Sequence, residues 1–293
     1  MSETALTGAA GQSPLAIICG GGSLPFAVAQ AVGARGRRVV LFAIRGWADP
    51  HEVAGFPHHW AAIGQFGRFC RLARREGCRD VVLIGSLLRP AIWRIRPDLE
   101  TLRLLPRVLR IFRGGDDHLL SGIAQIFEEH GFRLVGAHEI APDILMPEGP
   151  LGRERPSERD HADIAKGLAL LDAASPFDVG QAVVVSDQRV LAIEAAEGTD
   201  RMLARIAELR RNGQLASAAR CGVLVKAAKR GQDRRVDLPS IGPRTVEGAA
   251  RAGLAGIAVV AGSTIVAEPE RIATAADRER LFVLGLRESA RGR

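Results

Sequence analysis

The stretch of sequence densest in reactive side chains lies in the second half. "AIEAAEGTD" (192–200) sets Glu194, Glu197 and Asp200 around a strand-to-helix turn, with Thr199 beside them. "KAAKRGQDRRVDLPSIGPRT" (226–245) adds Lys226, Lys229, Asp233 and Asp237 after an apolar run, and ends on Thr245. Carboxylates crowd together only at a cost unless a cation or a proton compensates them. Mg²⁺, a hard ion that takes oxygen ligands, suits such a cluster, and neighbouring lysines neutralise diphosphate oxygens. "PSIGPRT" reads as a rigid turn opening a helix whose N-terminus attracts anions. The competing reading is a solvated charged loop, the commoner meaning of a charge run.

Three turns of the first half offer further contacts. "CGGGSLP" puts Gly21, Gly22, Ser23 and Leu24 after a strand, where glycines let backbone amides approach a phosphate. The spacing is not that of a dinucleotide fingerprint: Pro25 stands where the third glycine belongs, and the second strand ends in Arg45 rather than an acid. An NAD-linked reading is therefore disfavoured. "GSLLRP" (85–90) follows another strand and offers Arg89, whose guanidinium forks to phosphate oxygens. "GDDHLL" opens a helix with two aspartates where one suffices for a cap, leaving Asp117 to face a ligand.

These residues need a scaffold, and the hydrophobic pattern predicts one. Residues 15–22, 38–44, 80–88 and 132–140 read as near-continuous apolar strands alternating with helices, which predicts a mainly parallel sheet covered on both faces. Residues 146–160 carry three prolines and no period, and read as a connector. Beyond it a helix leads to two β-rich runs meeting at "SDQR", a hairpin turn, then a helix over 199–212, a strand from 222 and a last helix. The expectation is an α/β chain: an N-terminal domain over 1–146 whose first 13 residues are disordered, a linker over 147–160, and a C-terminal α/β domain with a mixed sheet over 161–293.

Composition bounds the partners. The 293 residues carry 40 Lys and Arg against 33 Asp and Glu, a formal +7. That surplus fits a phosphorylated substrate, an anionic membrane surface or a nucleic acid. Ten Phe, three Trp and no Tyr leave little for base stacking, so no nucleic-acid partner is expected. Cys19, Cys70, Cys78 and Cys221 form no CxxC pair and read as buried thiols of a reducing cytoplasm. The first dozen residues lack a signal peptide's apolar core, and no run reaches the ~20 apolar residues of a membrane span. The Leu/Arg-rich stretch near 98–112 reads as a helix that packs on a core, or as a basic amphipathic helix of the kind that meets anionic lipid.

"GGGSLP", "GSLLRP", "GDDHLL", "VGAHEI", "DVGQAVVV", "AIEAAEGTD" and "QDRRVDLPSIG", in this order, resemble the LpxI-type UDP-2,3-diacylglucosamine diphosphatases over about residues 14–288. The resemblance implies a Rossmann-like N-terminal domain, a C-terminal α/β domain and a lipid product held between them. It implies a Mg²⁺-dependent hydrolase of lipid A biosynthesis that splits UDP-2,3-diacylglucosamine into UMP and 2,3-diacylglucosamine 1-phosphate. Asp237 matches the acid essential for catalysis in that family, and Glu194, Lys226 and Asp200 are carried over beside it. Taken with the cluster above, the catalytic set is Asp237, Asp233, Glu194 and Lys226, and the metal ligands are Asp237, Asp200 and Glu197. Substrate contacts fall to Gly21, Gly22, Ser23, Leu24, Arg89, Asp117, Thr199, Lys229 and Thr245. The expected setting is cytoplasmic, with peripheral contact with the inner membrane and a homodimer as further partners. At "GIAVVAG" similar sequences often carry an acid where this chain has Val260. A non-catalytic nucleotide-sugar or phospholipid-binding regulator is the alternative; it has no use for the acidic cluster.

Overall fold

The computed structural model describes residues 12–86, 96–111, 116–177, 179–215, 220–229, 233–235, 238–266 and 268–288, without the side chains of 110–121. The chain forms two compact units: Met1–Asp143 with Asp233–Val236, and Ile144–Gln232 with Asp237–Arg293. Both are α/β.

In the first unit the elements run β1 (Leu15–Cys19), α1 (Leu24–Ala34), β2 (Val39–Ile44), α2 (Pro50–Val53), β3 (His58–Ala61), α3 (Phe66–Arg75), β4 (Asp80–Ile84), α4 (Leu99–Ile111), α5 (Asp116–Glu129), β5 (Arg133–Leu134) and α6 (Ala137–Ile140). The sheet is wholly parallel in the order β3-β2-β1-β4-β5. All six residues of β2 are buried, as expected for a strand covered on both faces. Phe42, Phe69, Phe127 and Phe132 make the aromatic part of this core, with Phe42 and Phe69 edge to face at 4.7 Å.

Two parts of this unit depart from expectation. His58–Ala61, not expected as a strand, forms β3 at the sheet edge. Residues 132–140, expected as one strand, pair with β4 over Arg133–Leu134 alone and then turn into α6. Gly136 starts that helix, and Glu139 Oε1 accepts its N–H at 3.0 Å, so a capping side chain three residues on ends the strand. Of the lead expected to be disordered, residues 1–11 lie outside the described residues, while the Ser13 carbonyl accepts from Arg37 Nε at 2.9 Å.

The second unit runs β6 (Gly149–Pro150), α7 (Glu158–Ala174), β7 (Ala182–Ser186), β8 (Arg189–Ile193), α8 (Thr199–Arg211), β9 (Val223–Lys226), β10 (Ser240–Ile241), α9 (Pro243–Arg251), β11 (Gly256–Val260), β12 (Ile265–Val266), α10 (Pro269–Glu279) and β13 (Phe282–Leu286). Its six-stranded sheet has the order β6-β13-β11-β9-β7-β8. β9, β11 and β13 are parallel, β6 and β7 run against them, and β8 runs antiparallel to β7, giving the mixed sheet expected. One face packs on α7 through Ile164, Leu168 and Leu171. The other packs on α8, α9 and α10 through Met202, Leu203, Ile206, Ala249 and Ile272.

Three local features explain how this sheet is built. The β7–β8 turn places Asp187 at φ 53° and Gln188 at φ 58°, the left-handed pair that a two-residue hairpin demands. Asp163 of α7, 1% exposed, holds that turn by accepting from the Asp187 and Gln188 amides at 3.0 and 2.7 Å. The chain closes with a strand, β13, where the sequence reading stopped at a helix; "FVLGL" slots between β6 and β11. The stretch read as a linker contributes β6 to that sheet's edge. Among the described residues no helix is long and apolar enough to cross a membrane.

Candidate functional site

The carboxyl end of β9 gathers the reactive groups of the second unit. The register of β9 with β7 pairs Lys226 with Ala182, and the hairpin brings the end of β8 to the same edge. Glu194, the first residue after β8, stays tied to the sheet: its N–H donates to the Ala182 carbonyl at 2.8 Å, and its own carbonyl accepts from Gly180 at 3.0 Å. A Cβ on Gly180 would lie 2.5 Å from the Glu194 carbonyl oxygen, so a glycine is needed for that approach. Gly198, at φ 78°, then turns the chain into α8, whose first residue is Thr199.

Lys226, Thr199 and Glu194 form one chain of hydrogen bonds. The Lys226 Nζ donates to Thr199 Oγ1 at 3.1 Å and to the Ser240 carbonyl at 3.0 Å. The Thr199 hydroxyl donates to Glu194 Oε1 at 2.7 Å, and Glu194 Oε2 accepts from the Gln181 amide at 3.0 Å. The lysine is only 7% exposed. A buried ammonium is costly unless it meets acceptors; the Thr199 hydroxyl and the Ser240 carbonyl are two of them, with the Glu194 carboxylate one hydroxyl away. Nearby, the first turn of α9 buries Thr245 to 8% exposure, and its Oγ1 accepts from the Gly242 amide at 3.3 Å.

Other nominated acids have arginine partners. Asp200 pairs with Arg244 at 2.9 Å on the surface, and Glu197 with Arg205 at 3.3 Å. Asp233 belongs to the first unit, where Arg235 grips it at 2.8 Å and also reaches Glu128 at 2.6 Å; hydrogen bonds from Arg235 hold its carboxyl below the usual range. Lys229 is half-buried three residues past Lys226. Asp237 lies outside the described residues, as do Arg89 and the Asp117 side chain. Among the described residues no three His, Cys, Asp or Glu side chains gather as metal ligands. Val260 ends β11 wholly buried in the core with Ala258 and Phe282.

In the first unit, Gly21, Gly22, Ser23 and Leu24 sit at the carboxyl end of β1. Gly21 and Ser86 exchange backbone hydrogen bonds, each 2.9 Å long, joining the turn after β1 to the turn after β4. Added Cβ atoms would lie 2.9 Å from backbone atoms at Gly20 and 2.8 Å at Gly85, itself at φ 103°. These two glycines are explained by backbone crossing backbone. Gly22, at φ 92°, meets nothing within 4 Å, and the Ser23 hydroxyl makes no capping bond to α1.

The sequence reading brought Glu194, Thr199 and Lys226 to one place but missed the backbone partners, Gln181 and Ser240. Main-chain groups carry no residue-type signature, so only the strand register reveals them. It also missed Asp163, whose buried carboxylate serves a turn 24 residues away. The three buried cysteines, Cys19, Cys70 and Cys78, are free thiols pushed up by burial to about 12, 11 and 11.

Comparison with known proteins covers both units. Residues 14–144 match the LpxI N-terminal domain, and residues 147–284 match the LpxI C-terminal domain. The chain is 42% identical over 272 residues to the UDP-2,3-diacylglucosamine pyrophosphatase LpxI of Caulobacter vibrioides, covering 93% of this chain and 97% of that one. With both domains matched in order and the likeness running nearly end to end, the chain belongs to the LpxI family.

Proposed function

We propose that this protein is a UDP-2,3-diacylglucosamine pyrophosphatase, hydrolysing the diphosphate bond of that lipid-linked nucleotide in lipid A synthesis. The products are UMP and 2,3-diacylglucosamine 1-phosphate. The likeness along the chain supports the substrate. The observation that carries the site assignment is the buried Lys226 ammonium at the end of β9, hydrogen-bonded to Thr199 in front of Glu194.

Such a bond breaks when water attacks one phosphorus in line with the departing phosphate, and charge accumulates on the oxygens around it. Pre-placed positive groups there lower the barrier without reorganising. Lys226 fills that role: its ammonium, fixed by Thr199 and Ser240, meets a non-bridging phosphate oxygen. Thr199 holds the lysine and the carboxylate in register, and Thr245 and Lys229 contact the remaining phosphate oxygens. The reaction runs at the β-phosphorus, so the water oxygen ends on the sugar phosphate and UMP leaves.

The donor set fits Mg²⁺ in its usual mode, in which one or two carboxylates bind the ion while waters and substrate phosphates complete the shell. Glu194 is the carboxylate of the described network, and Asp237 is the second donor by its family match. The ion would neutralise phosphoryl charge and polarise phosphorus. Release of UMP from UDP-2,3-diacylglucosamine, abolished by EDTA and restored by added Mg²⁺, is the expected result. No UMP release under either condition would overturn the assignment.

A further inference from the structure

We propose that α4 docks the protein onto an anionic lipid bilayer, its leucines entering the acyl region and its arginines meeting headgroup phosphates. Large apolar side chains rarely stand in water as a group, and grouped ones mark an interaction surface. Among the described residues five are exposed: Leu99 at 66%, Leu102 at 48%, Leu105 at 38%, Leu109 at 49% and Phe177 at 78%. Four of the five lie on α4. At 3.6 residues per turn these four span an arc of about 120°. Thr101, Leu104 and Val108 occupy the opposite, half-buried side, where α4 packs on α3 and α5.

Charge decides the occupant. Residues 96–113 carry five arginines, Arg96, Arg103, Arg107, Arg110 and Arg113, against Asp98 and Glu100. By helical spacing Arg103 and Arg107 line one edge of the leucine arc, Arg103 beside Glu100 and Arg107 beside Glu129, and the exposed Arg96 precedes the helix. Leucines bordered by arginines match a surface that is apolar below and anionic above, the interface of a phosphatidylglycerol-containing membrane. Two cavities among the described residues of this unit, about 440 and 680 Å³, are lined by groups such as Asp80, Arg133 and Arg35, and by none of these leucines. A planar apolar phase takes the whole strip at once. With 13 residues and Pro106 inside it, α4 lies along the interface and does not span it.

Vesicle flotation of the full chain tests this without any substrate, so the result is independent of whether UMP is released. Wild type is expected to float with vesicles of three parts phosphatidylethanolamine to one part phosphatidylglycerol, about tenfold more than with phosphatidylcholine vesicles. The triple variant L99E/L102E/L109E should lose at least about tenfold of that binding while unfolding at the wild-type temperature. Should the triple variant fold poorly, R96E/R103E decides: it should remove the preference for anionic vesicles. Wild type left in the dense fraction with both lipids would overturn the proposal, as would leucine variants that float like wild type. So would loss of a wild-type dimer in the triple variant, seen by light scattering, with no vesicle binding by wild type; the strip would then belong to a second copy.

Discussion

The Lys226 ammonium donates to the Thr199 hydroxyl across 3.1 Å, joining the last residue of β9 to the first residue of α8. The hydroxyl passes its own proton toward Glu194, so an acid and a base of opposite charge are held one oxygen apart. The Thr199 hydroxyl is the bridge between the two.

The bridging hydroxyl can be tested on its own. Thr199→Val keeps the shape and removes both hydrogen bonds, and should lower kcat at least about tenfold, the value of a lost bond to a charged group. Thr199→Ser should keep most of the activity. Equal loss in both variants would show that the methyl group, and not the hydroxyl, matters.

If Glu194 is one of the carboxylates proposed to hold Mg²⁺, Glu194→Gln should raise the Mg²⁺ concentration needed for half-maximal UMP release by about tenfold or more. The readout is a Mg²⁺ titration of rate at saturating substrate. An unchanged titration curve would remove Glu194 from the metal's ligands.

Hydrolysis in H₂¹⁸O locates the attack. Label is expected in 2,3-diacylglucosamine 1-phosphate and not in UMP, by mass spectrometry of both products. Label in UMP would move the attack to the α-phosphorus.

The first unit has an electrostatic clamp away from these residues. Asp80, 6% exposed, accepts from Arg37 at 2.5 Å and from Arg133 at 2.8 and 3.0 Å. Burial alone would raise its pKa, but the hydrogen bonds from Arg133 and Arg37 outweigh that and hold the carboxyl below the usual range. A lowered folded-state pKa contributes stability above the unfolded value of about 3.9, and that stability is lost as pH falls through the folded value. Asp80→Asn should therefore cost on the order of 3 kcal/mol at neutral pH, because Arg37 stays buried without its partner. The deficit should shrink below about pH 4 in urea unfolding curves. A constant difference across pH would contradict the clamp.

Much of the architecture was legible because it rests on apolar runs. "LAIIC", "VVLFAI" and "VVVS" become buried strands, and "SDQR" becomes the hairpin turn. What stayed hidden depended on partners distant in sequence. "FVLGL" is short enough to be helix or strand, and only the gap between β6 and β11 decides. Residues 135–140 look like a strand until Glu139 caps Gly136. In the site, side chains announced Glu194 and Lys226, whereas Ser240 and Gln181 act through backbone atoms. Abundance is no guide within the acid run: Glu197 and Asp200 share its spacing, and each lies beside an arginine, Arg205 and Arg244, that the sequence does not announce.

The most direct measurement is the rate of UMP release from UDP-2,3-diacylglucosamine by wild type and by Lys226→Met at saturating Mg²⁺. Methionine fills a similar buried volume without charge, and a thermal melt checks that the variant is folded. The account predicts a fall in kcat of about 10²–10³, the usual loss when a pre-placed charge-stabilising group is removed. A folded Lys226→Met protein that turns over within a few-fold of wild type would contradict it.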